Sequence, residues 1–68
     1  MFNIDIRATM KGAGFFGYEV AAALGVSETY FSRLLSRGEL PNDEKDTIFR
    51  TIAKMEEVRR ETNEKQGH

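Results

Sequence analysis

Few side chains in this sequence suit covalent chemistry. There is no Cys among the 68 residues, so disulfides, thiolate zinc sites and thiol nucleophiles are excluded. The one His, His68, stands last with no ligand partner near it. No pair of carboxylates sits in an apolar setting that would perturb a pKa, so acid–base catalysis has no candidate and no enzyme is expected. Gly12, Gly14 and Gly17 form a spaced set, but no strand precedes them, which rules out a dinucleotide-binding loop. What the sequence does offer is one short run dense in hydrogen-bonding groups: Ser27, Glu28, Thr29, Tyr30, Ser32, Arg33 and Arg37, with Lys11 upstream. Hydroxyls, a carboxylate and guanidinium forks are groups for noncovalent recognition of a polar partner.

The elements that must position these groups are helical. Strand signals are poor, since the only alternating run is Asn3-Ile4-Asp5-Ile6. A first helix is expected from about Asp5 to Lys11, with Ile6 and Met10 on one face and Gly12 and Gly14 ending it. A second runs from about Gly17 to Leu24, with Val20, Ala21 and Leu24 facing inward, and stops at Gly25. Ser27 suits the N-cap of a third helix, Glu28 to Ser36, that buries Phe31, Leu34 and Leu35. Gly38 ends it, and Leu40-Pro41 turns the chain. A last helix starts near Asn42, with Asp43, Glu44 and Asp46 at the positive end of its dipole and Ile48, Ile52 and Met55 as its apolar face. Phe49 and Ala53 lie beside that face, and beyond about Arg60 no apolar anchor remains. The expectation is an all-α, four-helix domain over residues 1–60 and a frayed polar tail over 61–68. Phe15 reads as core and Phe16 as exposed.

The corner between the second and third helices is the informative part. A close helix crossing needs a small residue, and Ala21 supplies it. The turn needs a residue at positive φ, and Gly25 supplies it. Apolar plugs on both sides are Val20, Leu24, Val26, Phe31 and Leu34. That combination describes a helix-turn-helix, whose second helix suits the DNA major groove.

At these residues the chain resembles the phage Cro and repressor family, the xenobiotic-response-element type of helix-turn-helix protein with the lambda-repressor-like fold. Val20-Ala21, Gly25-Val26-Ser27 and Phe31-Ser32-Arg33 match its pattern in register, as do Ile6-Arg7 and Gly14-Phe15 upstream. The likeness covers roughly Ile6 to Met55 and is nearest to short members carried by prophages and integrative elements. It implies a transcriptional regulator acting on double-stranded DNA as a homodimer, each copy reading half of a palindrome. By family position Glu28, Thr29 and Arg33 would approach base edges: Arg33 to guanine, Glu28 to a cytosine amine, the Thr29 methyl to thymine. Ser27, Ser32 and Tyr30 would meet phosphates, and Arg37 and Lys11 would add backbone charge contacts. The chain departs from the pattern in three places. Phe16-Gly17 replaces a capping residue and a phosphate-binding Gln, Met10 and Leu35 stand where an Arg–Glu pair is common, and Gly38 falls one residue late.

Composition bounds these readings. With 40% hydrophobic and 31% charged residues the chain is neither a disordered tail nor a membrane protein. No apolar run spans a bilayer and no secretion signal is evident, so a cytoplasmic protein is expected, with no cofactor, metal, membrane or small-molecule substrate. The net charge of −1 supplies no excess of Lys and Arg, so any basic patch must be assembled by folding. The zero net charge of residues 1–41, the missing Gln and Glu28 on the reading helix motivate the alternative: a helix-turn-helix-fold protein-interaction module with weak or no DNA binding, such as an anti-repressor, antitoxin-like adaptor or excision cofactor.

Overall fold

A computed structural model describes the backbone of residues 1–66 and the side chains of residues 1–62. Four helices follow in chain order: α1 (Ile4–Ala13), α2 (Gly17–Leu24), α3 (Glu28–Arg37) and α4 (Asn42–Gln66). There is no strand among the described residues, and the Asn3–Ile6 stretch starts a helix. α4 packs on α1 and α2, and α2 packs on α3. The architecture is the expected small four-helix all-α domain.

Two of the corners share one mechanism. Gly14 and Gly25 follow α1 and α2 with φ of 78° and 81°, in the left-handed region that glycine enters without a Cβ clash. After α1, Gly14 N–H donates to Lys11 O and Phe15 N–H to Met10 O. After α2, Gly25 N–H donates to Ala22 O and Val26 N–H to Ala21 O. Both are Schellman closures, in which a glycine and then an apolar residue satisfy the last free carbonyls. The apolar residue that follows each glycine, Phe15 or Val26, folds back onto the core. Gly14 alone closes α1, and Gly12 lies inside the helix.

The core joins all four helices: Ile6 from α1, Val20 and Ala21 from α2, Phe31 and Leu35 from α3, and Ile48 and Ile52 from α4, with Phe15 and Leu40 from the connections. Leu34, expected in the core, is only half-buried, because it lies at the flank of the buried stripe set by Phe31 and Leu35. Phe15 is buried and Phe16 is exposed, as expected; Phe16 stacks on Tyr18 at 5.8 Å between ring centroids.

α4 is longer than the core needs. Its 25 residues correspond to about 37 Å of helix and account for most of the 44 Å long dimension. Val58, the last apolar residue on it, is half-exposed. Helical backbone continues to Gln66, past the residue-60 boundary expected from the loss of apolar anchors. Residues 67–68, the end of the expected tail, and the side chains from 63 onward lie outside the described residues. No helix among the described residues is long and apolar enough to cross a membrane.

Candidate functional site

The site is built from the start of α3. Ser27 adopts extended backbone, and its Oγ accepts from the Tyr30 N–H at 3.1 Å, which caps the helix. Glu28 follows in the first turn, at the positive end of the helix dipole. Burial of Phe31 and Leu35 then fixes the rotation of α3 about its axis. With 100° per residue, the outward face must carry residue 33 at its centre and 29, 30, 36 and 37 within about 60° of it, with 32 and 34 at its edges.

Thr29, Ser32, Arg33 and Ser36 take outward positions on one side of Arg33, and Glu28, in the first turn, joins them. Glu28, Thr29, Ser32, Arg33 and Ser36 line one shallow polar trough of about 450 Å³, and all five are exposed. No other element among the described residues covers it. Tyr30 and Arg37 fall on the opposite flank, where they border a second groove with Leu34, Pro41 and Glu44. The Tyr30 ring is half-exposed. Glu28, Thr29 and Arg33 thus share one surface with Ser32, while Tyr30 and Arg37 belong to its far edge.

Folding collects cations here that are dispersed in the sequence. Arg7, on α1, donates from Nη2 to Ser36 Oγ at 3.3 Å and from Nε to Phe2 O at 3.2 Å. Lys11 lies one turn further along α1, exposed, in a groove that also takes in Arg7, Phe16, Gly17 and the α3 residue Leu35. Met10 lines the same groove, so two apolar residues, Met10 and Leu35, border it. Arg7, Lys11, Arg33 and Arg37 form no ion pair among the described residues, and Glu28 is the only acid in the trough. Arg7 is absent from the sequence-derived set; its signal was its spacing four residues before Lys11, on the same side of α1.

The N-terminus of α2 departs from the usual solution. Phe16 occupies the cap position and has no side-chain acceptor. The Glu19 N–H therefore donates to the Phe16 carbonyl at 3.0 Å, and the Glu19 carboxylate accepts from Phe16 N–H at 2.8 Å. The helix start is satisfied by half of a capping box.

The exit of α3 is set by a residue that sequence reasoning did not single out. Gly38 has a φ of 178°, which is extended backbone and gives α3 no left-handed closure. The free carbonyls are taken by Asn3 instead. Its Nδ2 donates to Leu35 O and Gly38 O, both at 2.9 Å, and its Oδ1 accepts from Leu40 N–H at 2.9 Å. Asn3 is fully buried and sits at φ 58°, a left-handed conformation that Asn tolerates better than most residues. Its own N–H donates to Glu39 Oε1 at 2.9 Å. Glu39 and Asp5 both hold the ammonium of Lys45, with Asp5 at 3.0 Å. The Lys45 hydrogen bond holds the Asp5 carboxyl below its ordinary 3.8, and the Asn3 N–H and then Lys45 hold Glu39 below 4.5. Hydrogen bonds to Glu39 and then Asp5 hold Lys45 above 10.5. The entry of α1, the exit of α3 and the start of α4 thus meet in one polar knot beside the trough.

Among the described residues no three His, Cys, Asp or Glu side chains are gathered as a metal site would need. Comparison with known proteins finds no matching family model, no similar curated protein and no similar solved structure.

Proposed function

We propose that the protein is a sequence-specific DNA-binding regulator of the Cro and repressor type, with α3 in the major groove of a duplex. The observation that carries this reading is the uncovered face of α3, where Arg33, Thr29 and Glu28 stand together and Arg7 adjoins Ser36. Arg33 is the group for a bidentate guanine contact, Glu28 for a cytosine amine, and Thr29 for a thymine methyl. Ser27 and Ser32 keep hydroxyl donors for phosphate, and Arg7, Lys11 and Arg37 supply charge on either side. Tyr30 meets phosphate only from the far edge of the helix. Arg33 in the trough, Arg7 at Ser36, and Lys11 and Arg37 on other grooves supply positive charge that the net charge of −1 does not.

One module reads half a site, so two copies act on a palindrome. The flank bordered by Tyr30, Leu34 and Pro41 suits the contact between copies. It offers apolar Leu34, Leu40 and Pro41 to a two-fold contact and leaves Arg37 at its edge for phosphate. The test is selection of bound duplexes from a random pool at stated salt. The expected result is enrichment of paired half-sites about one helical turn apart. Affinity then falls steeply as salt rises. Failure to enrich any sequence, with no amide shifts in α3 on adding duplex at low salt, supports the alternative protein-interaction module.

A further inference from the structure

A second surface, containing no residue of α3, has the character of a protein-docking groove. It lies between α2 and the outer half of α4, with a volume of about 640 Å³. Its floor is apolar: Phe15 and Ala23 on one wall, Met55 and Val58 on the other. Ala23 and Val58 are exposed, so nothing among the described residues closes the groove. Its rim is basic. Arg50, Lys54 and Arg59 line it together with Thr47 and Thr51, and no acidic residue does.

The three cations differ in how far they are compensated. Arg50 is paired with Asp46 at 2.9 Å. Arg59 lies over the Phe15 ring, 4.0 Å from its centroid, and donates to Ala13 O at 2.9 Å. Those contacts fix its position and leave its charge without an acid among the described residues. Lys54 has no ion-pair partner among the described residues.

We propose that this groove binds an acidic amphipathic helix from a protein partner. Two observations select that occupant. The first is length. The lining residues of α4 run from Thr47 to Arg59 as one stripe, about 18 Å long at 1.5 Å per residue, which matches three turns of a docked helix rather than a small molecule. The second is sign. A second copy of this chain placed symmetrically would face this acid-free basic rim with an identical one, and like charges at an interface are penalised. A helix with apolar anchors at i, i+3, i+4 and i+7 and glutamates on its flanks meets both the floor and the rim.

The test uses the full chain, isotope-labelled, titrated with a synthetic four-turn amphipathic helix carrying leucine anchors and glutamate flanks. A control peptide has the same anchors and lysine flanks. Saturable amide shifts are expected at Ala23, Thr51, Lys54, Met55 and Val58, with α3 unmoved. The lysine peptide should bind about tenfold more weakly, the size expected from reversing charge against two solvent-exposed cations. Ala23→Arg and Val58→Asp, both at exposed positions, should abolish the shifts while leaving the helical circular dichroism intact. No shifts at millimolar peptide, equal binding of both peptides, or shifts centred on α3 would each overturn the proposal. So would a dimer in sedimentation that dilution dissociates with shifts at these same amides.

Discussion

Asn3 provides the sharpest test of how this fold holds α3. Replacing it with Gly keeps the left-handed backbone and removes the side chain that joins the Leu35 and Gly38 carbonyls to the Leu40 amide. The bonds to Leu35 and Leu40 are buried, whereas that to Gly38 is partly so. A buried polar group left unpaired costs about 1–3 kcal/mol, so two such groups put Asn3→Gly at about 2–6 kcal/mol, toward the low end if water enters. Asn3→Ala loses the same bonds and adds a Cβ at φ 58°, a further ~1–2 kcal/mol. A domain of 68 residues has a total stability of about 3–10 kcal/mol, so Asn3→Ala should bring much of the population close to unfolding. Urea titration followed by circular dichroism at several temperatures measures both variants against the parent chain. A loss below about 0.5 kcal/mol for Asn3→Gly would mean the side-chain bonds are not what closes α3. Equal losses for Gly and Ala would remove the argument from backbone strain.

The two glycines flanking α3 should behave oppositely. Gly25→Ala strains a φ of 81° and should cost about 1 kcal/mol, although open space surrounds the added methyl. Gly38→Ala, at extended φ with equally open space, should be neutral or stabilise by up to ~1 kcal/mol in the same denaturation assay. For the polar knot, Asp5 and Glu39 have lowered pKa values, so their contribution is full above their ordinary 3.8 and 4.5 and fades as pH falls through the folded values. Lys45 is raised, so its contribution is full below 10.5 and fades as pH rises through its folded value. The melting-temperature gap between the parent chain and Lys45→Met should therefore be widest in the neutral range and narrow at both extremes; a gap independent of pH would contradict the pairing. Under the proposed DNA reading, Arg33→Ala should weaken the selected duplex by about 1–3 kcal/mol and relax one base position. Arg7→Ala should weaken all duplexes alike and flatten the salt dependence; a sequence-specific loss from Arg7→Ala would place it among the base-reading groups instead.

Much of this was legible in the sequence because it is governed by local rules. Gly14-Phe15 and Gly25-Val26 each announce a helix end, since a left-handed glycine followed by an apolar residue is the chemistry of one closure. Ser27 announces a helix start for the same reason, and burial of Phe31 and Leu35 fixes which side of α3 faces outward. The remainder depends on contacts distant along the chain. Asn3 reaches its acceptors across more than 30 positions, and nothing in Phe2-Asn3-Ile4 distinguishes a keystone from an ordinary helix cap. Arg7 meets Ser36 across 29 positions, so its membership of the site follows only from the way α1 packs. Leu40, read as a turn residue, is in the core because Asn3 draws the loop inward by its amide.

Under the proposed DNA reading, these long-range contacts bear on recognition as well as stability. Arg7 lies four residues after Asn3, and the Arg7 N–H donates to the Asn3 carbonyl in the first turn of α1. The same asparagine holds the last turn of α3 through Leu35 and Gly38. A cation that flanks the trough and the helix that forms it are therefore anchored to one residue, and their separation is fixed by hydrogen bonds rather than by a flexible surface pair. Rigid spacing of this kind matters for a duplex partner, whose phosphates and base edges are themselves at fixed separations. Under the proposed DNA reading, loosening Asn3 costs duplex affinity even in a population that remains folded, because Arg7 and Arg33 would no longer meet their contacts together. Asn3→Gly measured in stabilising osmolyte, with folding restored, separates the two effects: weaker duplex binding at full helicity supports the coupling, and parent-like binding refutes it.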